Sequence, residues 1–182
     1  MPTTTFSQTF SSTSLGKHFY QFYRGREDLF RVAIPFLKLG LESQEACLWV
    51  VSNSVGIAEA IAVFQRRFDL SPFLERKQLL IIPAERWYLD RGRFSERAAL
   101  KRMKKFLEER RLKGFSAFRG VSDVGWLEAR DWPKFQAFER KIHDWMQVLK
   151  MTAICAYPIQ HCSLTQSQDV LNHHHSVFQT KI

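Results

Sequence analysis

Three short stretches of this chain are apolar through their middle and stop abruptly. They are Gln44–Ser52 (QEACLWVVS), Gln78–Pro83 (QLLIIP) and Met151–Tyr157 (MTAICAY), the last closed by Pro158. Each is too short for a membrane span, which needs about 20 apolar residues. None shows the strict alternation of a strand with one face in water. Continuous apolar runs of this length fit central strands covered on both faces, as in parallel sheets. His18–Tyr23 (HFYQFY) is aromatic-rich and reads as a first strand; Phe115–Val121 is a weaker fifth candidate.

Amphipathic segments lie between the runs. Ile57, Ile61, Phe64 and Phe68 recur at helical spacing, as do Ala99, Met103, Phe106 and Arg110. The clearest helix is expected from about Pro133 to Leu149, with Phe135, Phe138, Ile142, Trp145 and Leu149 on one stripe. Asp131 is placed to cap it and Pro133 suits its first turn. Glu27–Leu41 is apolar nearly all round and should be buried, with a kink at Pro35. Strand followed by helix, repeated about five times, implies a three-layer α/β fold: a mostly parallel central sheet with helices on both faces. Residues 1–14 read as a flexible leader and residues 15–182 as one domain. Glu85–Ser95 (ERWYLDRGRFS) reads as a long polar and aromatic connection, a type of loop that is often functional.

Composition narrows the function classes. Hydrophobic residues make up 45% of 182, enough for a core. Sixteen Phe and five Trp are many for this length; such rings fill thick cores and also line ligand pockets. Three cysteines, none in a CxxC pair, argue against a disulfide framework and for a reducing cytoplasm. Cys47 and Cys155 lie within apolar runs and read as buried, inert thiols. The net charge of +9 permits acidic partners without choosing one. Arg97–Lys113 carries eight basic residues, but Glu96, Glu108 and Glu109 offset them and no reader module for nucleic acid is evident.

Catalytic motifs fail one by one. Gly16-Lys17 resembles the end of a P-loop, yet Ser11 stands where its first Gly belongs and His18 replaces the Mg²⁺-binding Ser or Thr. There is no GxGxxG, GxSxG or HExxH. His173-His174-His175 cannot ligate one metal together from a helix, because neighbours point about 100° apart. One inward His with two solvated neighbours is the expectation, and no metal or cofactor is expected. Glu85, Asp90, Asp123 and Glu128 fall near strand ends, where such sheets keep their sites.

Four ordered blocks resemble one family. They are His18–Tyr23 followed by Glu27-Asp28-Leu29; Cys47–Ser52; Trp87-Tyr88-Leu89 followed by Gly92 and Phe94; and Cys155-Ala156-Tyr157-Pro158 followed by Cys162. Arg119–Leu127 with Trp132, and the late Asn172-His173, fit the same order. Together, over residues 15–178, they resemble the MEDS domain, the sensory part of a dichloromethane-responsive regulator of methylotrophs and of methanogen sensors. The resemblance implies a RecA-like fold, distantly related to circadian-clock ATPases, without a working P-loop. It also implies a non-catalytic module for signal transduction in the cytoplasm. Its ligand would be small and mainly apolar, its partner a kinase or transcription regulator, and self-association is compatible with it. A degenerate nucleotide-binding protein and a basic nucleic-acid binder are the alternatives.

The expected ligand-binding residues are His18, Tyr20, Gln21, Tyr23, Trp87, Tyr88, Asp123, Trp126, Tyr157 and His173. The aromatic members fall near predicted strand ends or loops and would wall a crevice at the carboxyl ends of the strands. In His18–Tyr23, alternation puts His18, Tyr20 and Phe22 on one face and Phe19, Gln21 and Tyr23 on the other. Gln21 and Tyr23 lie nearer the crevice end; His18 lies at the opposite end and is retained on its family match.

Overall fold

A computed structural model describes residues 15–174 and 176–177. The predicted leader and the residues after 177 lie outside the described residues. The fold is the three-layer α/β arrangement expected from the sequence. Its six-stranded sheet runs in the order β3-β2-β6-β7-β1-β8, and every neighbouring pair is parallel. The strands are β1 (His18–Tyr23), β2 (Ala46–Val51), β3 (Leu79–Pro83), β6 (Phe118–Asp123), β7 (Met151–Pro158) and the short β8 (Ser176–Val177). The two central strands, β6 and β7, are buried at every position.

Parallel strands need crossovers, and the amphipathic segments supply them. Helices α1 (Arg26–Glu42), α2 (Ile57–Gln65) and α3 (Ser71–Glu75) cover one face. Helices α4 (Ala84–Tyr88), α5 (Glu96–Arg111), α6 (Trp132–Leu149) and α7 (Leu164–His173) cover the other. α1 passes through Pro35 and buries nine of its residues, among them Leu29, Val32, Phe36 and Leu41. β1 divides its side chains as alternation requires: Phe19 and Tyr23 enter the core under α1, Tyr20 and Phe22 the one under α6.

Three local expectations are corrected. Glu85–Ser95 is not an irregular loop. Trp87 and Tyr88 sit on α4, and β4 (Leu89–Asp90) pairs with β5 (Arg93–Phe94) in a small antiparallel hairpin. Asp131 occupies the position before α6, but its side chain makes no cap bond to the helix. The α6 stripe is also shifted. Phe135, Phe138, Glu139, Ile142 and Met146 are buried, whereas Trp145 is 43% exposed. α7 begins with a full capping box between Ser163 and Gln166. Among the described residues no helix is long and apolar enough to cross a membrane.

One buried ion pair fixes the amino-terminal edge of β2 and β6. Arg119 meets Glu45 through two nitrogens, with Nη2 to Oε1 at 3.0 Å, and lies 4.6 Å from the centre of the Phe36 ring. Gly40 makes room for it. A Cβ there would stand 2.7 Å from Arg119 Cδ and 2.8 Å from Cys47 Sγ.

Candidate functional site

The face of the sheet under α5 and α6 encloses a cavity of about 50 Å³. Strand positions Leu48, Val50, Ser122 and Ala153 form its floor, with Trp87, Tyr88, Met103, Phe106, Phe138 and Ile142 over them. Gly120 helps leave the space open: a Cβ built there meets nothing closer than 3.9 Å. The lining is almost wholly apolar; besides Ser122 on the floor and Arg119, its polar members are His18, Glu139 and Cys155, which form one wall. Tyr88 closes a side. Its hydroxyl shares a hydrogen bond with Ser122 Oγ at 2.8 Å, and its ring stacks on Trp126 with centroids 4.7 Å apart.

Four polar side chains meet at that wall. His18 projects from β1, Cys155 from β7, Glu139 from α6, and His174 follows the last turn of α7. Their donor atoms all lie within 4.8 Å of one another. His18 Nε2 is 3.2 Å from Cys155 Sγ and 3.4 Å from Glu139 Oε2; His174 Nε2 is also 3.4 Å from Glu139 Oε2. The His18 and His174 rings are 4.2 Å apart. Tyr157 donates its hydroxyl to Glu139 Oε2 at 3.3 Å. The side chains of His18 and His174 are wholly buried and that of Glu139 nearly so.

The electrostatics of this group are set by burial and by charge. Burial alone would raise the Glu139 carboxyl. Contact with His174 and the electrostatic pull of the His18 and His174 rings outweigh it and hold Glu139 below the usual carboxylate range. Burial pushes the Cys155 thiol well up, and the Glu139 charge pushes it further. A thiol so held is not an activated nucleophile. Tyr88 and Tyr157 are likewise raised by burial, with Cys155 and Glu139 adding to it.

The sequence-predicted residues separate into two groups. His18, Tyr20, Trp87, Tyr88, Trp126 and Tyr157 fall on the cavity side, within or beside the cluster. Tyr20 packs edge-on against His174, with centroids 5.5 Å apart. Gln21, Tyr23 and Asp123 stand on the other face. Gln21 Nε2 donates to the Asp28 carbonyl at 3.2 Å. Asp123 is fully buried and accepts from Tyr23 Oη at 2.7 Å, Gly125 N at 3.0 Å, and both N and Oγ of Ser52. Those bonds bind the carboxyl ends of β1, β2 and β6 together. His173 stays at the surface, with Nδ1 2.6 Å from the Asp169 carbonyl and Nε2 3.5 Å from Arg140. The inward histidine is His174; His175 lies outside the described residues.

Sequence reasoning passed over Glu139, Cys155 and His174. Glu139 did leave a signal, as a carboxylate four residues after Phe135 and three before Ile142, inside an apolar stripe. Cys155 and His174 left none beyond residue type. The P-loop reading fails structurally as well. Gly16 and Lys17 precede β1, whereas a phosphate loop must join a strand to the helix after it. The turn from β1 to α1 holds only Arg24 and Gly25.

No curated protein matches this sequence. The family model described as the MEthanogen/methylotroph, DcmR Sensory domain, MEDS, matches residues 17–175. That span runs from the residue before β1 to just beyond His174, so it takes in the whole cavity and all four clustered side chains. On that match the chain belongs to the MEDS family of sensory domains.

Proposed function

We propose that this sensory domain detects a small, mainly apolar molecule in the cavity beneath α5 and α6. A regulatory partner protein, such as a kinase or transcription regulator, would receive the signal. One observation carries the reading: a mainly apolar cavity of about 50 Å³ with His18, Glu139 and Cys155 grouped on one wall. Its size suits a few heavy atoms, since ~10–15 Å³ of such space holds one water-sized group. Apolar surface supplies the affinity, and the polar wall selects molecules bearing one polar atom. The cavity is favoured over the carboxyl ends of the strands, because Asp123 and its partners close that end with internal hydrogen bonds.

The test is thermal denaturation with a series of one- to three-carbon alcohols and halides, on wild type and Gly120→Val. Val at 120 projects into the cavity from an unstrained strand position. A saturable rise in melting temperature in wild type that is lost in Gly120→Val supports the reading. No rise with any compound, or an equal rise in both proteins, removes the cavity from the function.

A further inference from the structure

The His174 ring has its protons assigned by its surroundings. Nδ1 lies 2.7 Å from the Val170 carbonyl oxygen, which can only accept, so Nδ1 carries hydrogen. In the neutral ring Nε2 is then a lone pair, and it points at Glu139 Oε2 from 3.4 Å. Glu139 is a carboxylate that already accepts from Tyr157. Two acceptors facing each other in a dry interior need a positive species between them. A second proton on His174 would serve that pair alone. It would not explain why His18 and a thiol converge on the same carboxylate from two other elements.

A metal ion accounts for all four. We propose that His18, Glu139, Cys155 and His174 form a site for one divalent transition-metal ion of the zinc type. Tetrahedral Zn²⁺ with N, O and S ligands at roughly 2.0–2.3 Å has ligand-to-ligand edges of about 3.3–3.8 Å. Three of the six edges here are 3.2, 3.4 and 3.4 Å, and all six lie within 4.8 Å. A thiolate and a carboxylate cancel a 2+ charge, so the filled site is neutral, as a buried site requires. Thiolate with two imidazoles selects zinc-like ions over Mg²⁺ or Ca²⁺. The outer contacts also fit. His174 gives its other N–H to a backbone carbonyl and Glu139 is oriented by Tyr157, the usual supports of a ligating imidazole and carboxylate.

Four protein ligands leave no open position, so the ion is structural or regulatory and not hydrolytic. It ties the end of α7 to β1, β7 and α6 and places charge at the cavity wall. The site stands independently of whether the cavity takes a small molecule.

The experiment is a Co²⁺ titration of the full chain, stripped with chelator under reducing conditions, followed by Zn²⁺. The expected result is one equivalent of Co²⁺ with visible bands of tetrahedral cobalt and a thiolate-to-cobalt charge-transfer band, both bleached by Zn²⁺. Cys155→Ser should lose the charge-transfer band. His174→Gln, beyond the last turn of α7 and therefore mild for folding, should weaken Zn²⁺ at least tenfold. Cys162→Ser and Gly120→Val should leave the spectrum unchanged; the latter separates this site from the small-molecule reading. Folding is followed by circular dichroism, and if Cys155→Ser does not fold, His174→Gln decides. A folded wild type without a tetrahedral cobalt spectrum, or undiminished Zn²⁺ affinity in His174→Gln, overturns the proposal.

Discussion

Tyr23 donates its hydroxyl to Asp123 Oδ1 at 2.7 Å, joining the last residue of β1 to the last residue of β6. Residues a hundred positions apart are thereby fixed at the end of the sheet where a ligand crevice was expected. Tyr23→Phe removes one donor from a carboxylate that keeps three others. The expected loss is about 1–2 kcal/mol in urea denaturation, with the response to small molecules unchanged. Asp123→Asn should cost more, about 3 kcal/mol, because an amide N–H₂ would then face donors. A selective loss of ligand response in Tyr23→Phe would return this end of the sheet to the site.

The cavity makes the opposite prediction at Gly120. Added methyl groups there meet Ala153 Cβ and the Leu48 carbonyl at ordinary contact distance. Gly120→Ala should keep or slightly raise the melting temperature, since filling a void restores dispersion contacts. It should weaken small-molecule binding measured by calorimetry. A marked drop in stability would show that the space is smaller than described.

The Arg119–Glu45 pair should behave as a buried ion pair with one removable partner. Glu45→Gln leaves the guanidinium charge unpaired in the interior. An expected loss of about 3–5 kcal/mol follows, read from chemical denaturation. Gly40→Ala should be similarly harmful, because its Cβ would collide with Arg119 and Cys47. Stabilities within 1 kcal/mol of wild type in both variants would mean the pair is solvated in solution.

Alkaline pH should unfold the protein earlier than heat stability at neutral pH suggests. Burial raises the Tyr23, Tyr88 and Tyr157 hydroxyls, with Asp123 adding at Tyr23, Cys155 and Glu139 at Tyr88, and Glu139 at Tyr157. In the unfolded chain each ionises near pH 10. The unfolded state therefore sheds protons first as pH rises, so stability is intact below about pH 10 and falls above it. Melting temperatures from pH 7 to pH 11.5 test this; a flat profile contradicts it. Tyr23→Phe should flatten the fall.

The strands were legible because a strand covered on both faces has to be apolar throughout, as in Cys47–Val51 and Ile154–Tyr157. The segment Glu85–Ser95 was not, since α4 and the β4–β5 hairpin take their shape from packing on Phe135 and Phe138. The choice between His173 and His174 depends on the phase of the last turn of α7, which a sequence of three equal residues does not encode. Cys155 was legible as a buried thiol but its partner was not, because spacing along the chain is silent about partners; His18 is 137 residues away. Alternation divided β1 correctly, but it could not say which of two aromatic faces held empty space.

The pairing of β1 with β7 has a consequence for how the chain is made. β1 emerges first, yet its inner neighbour begins at Met151, so His18 waits for Ala153 before its ladder can close. During synthesis HFYQFY is an aromatic strand with both edges unpaired, a hazard for association between nascent chains. A sheet built wholly of long-range parallel pairings closes slowly, and the strand that carries His18 stays unpaired until β7, and then β8, have been made.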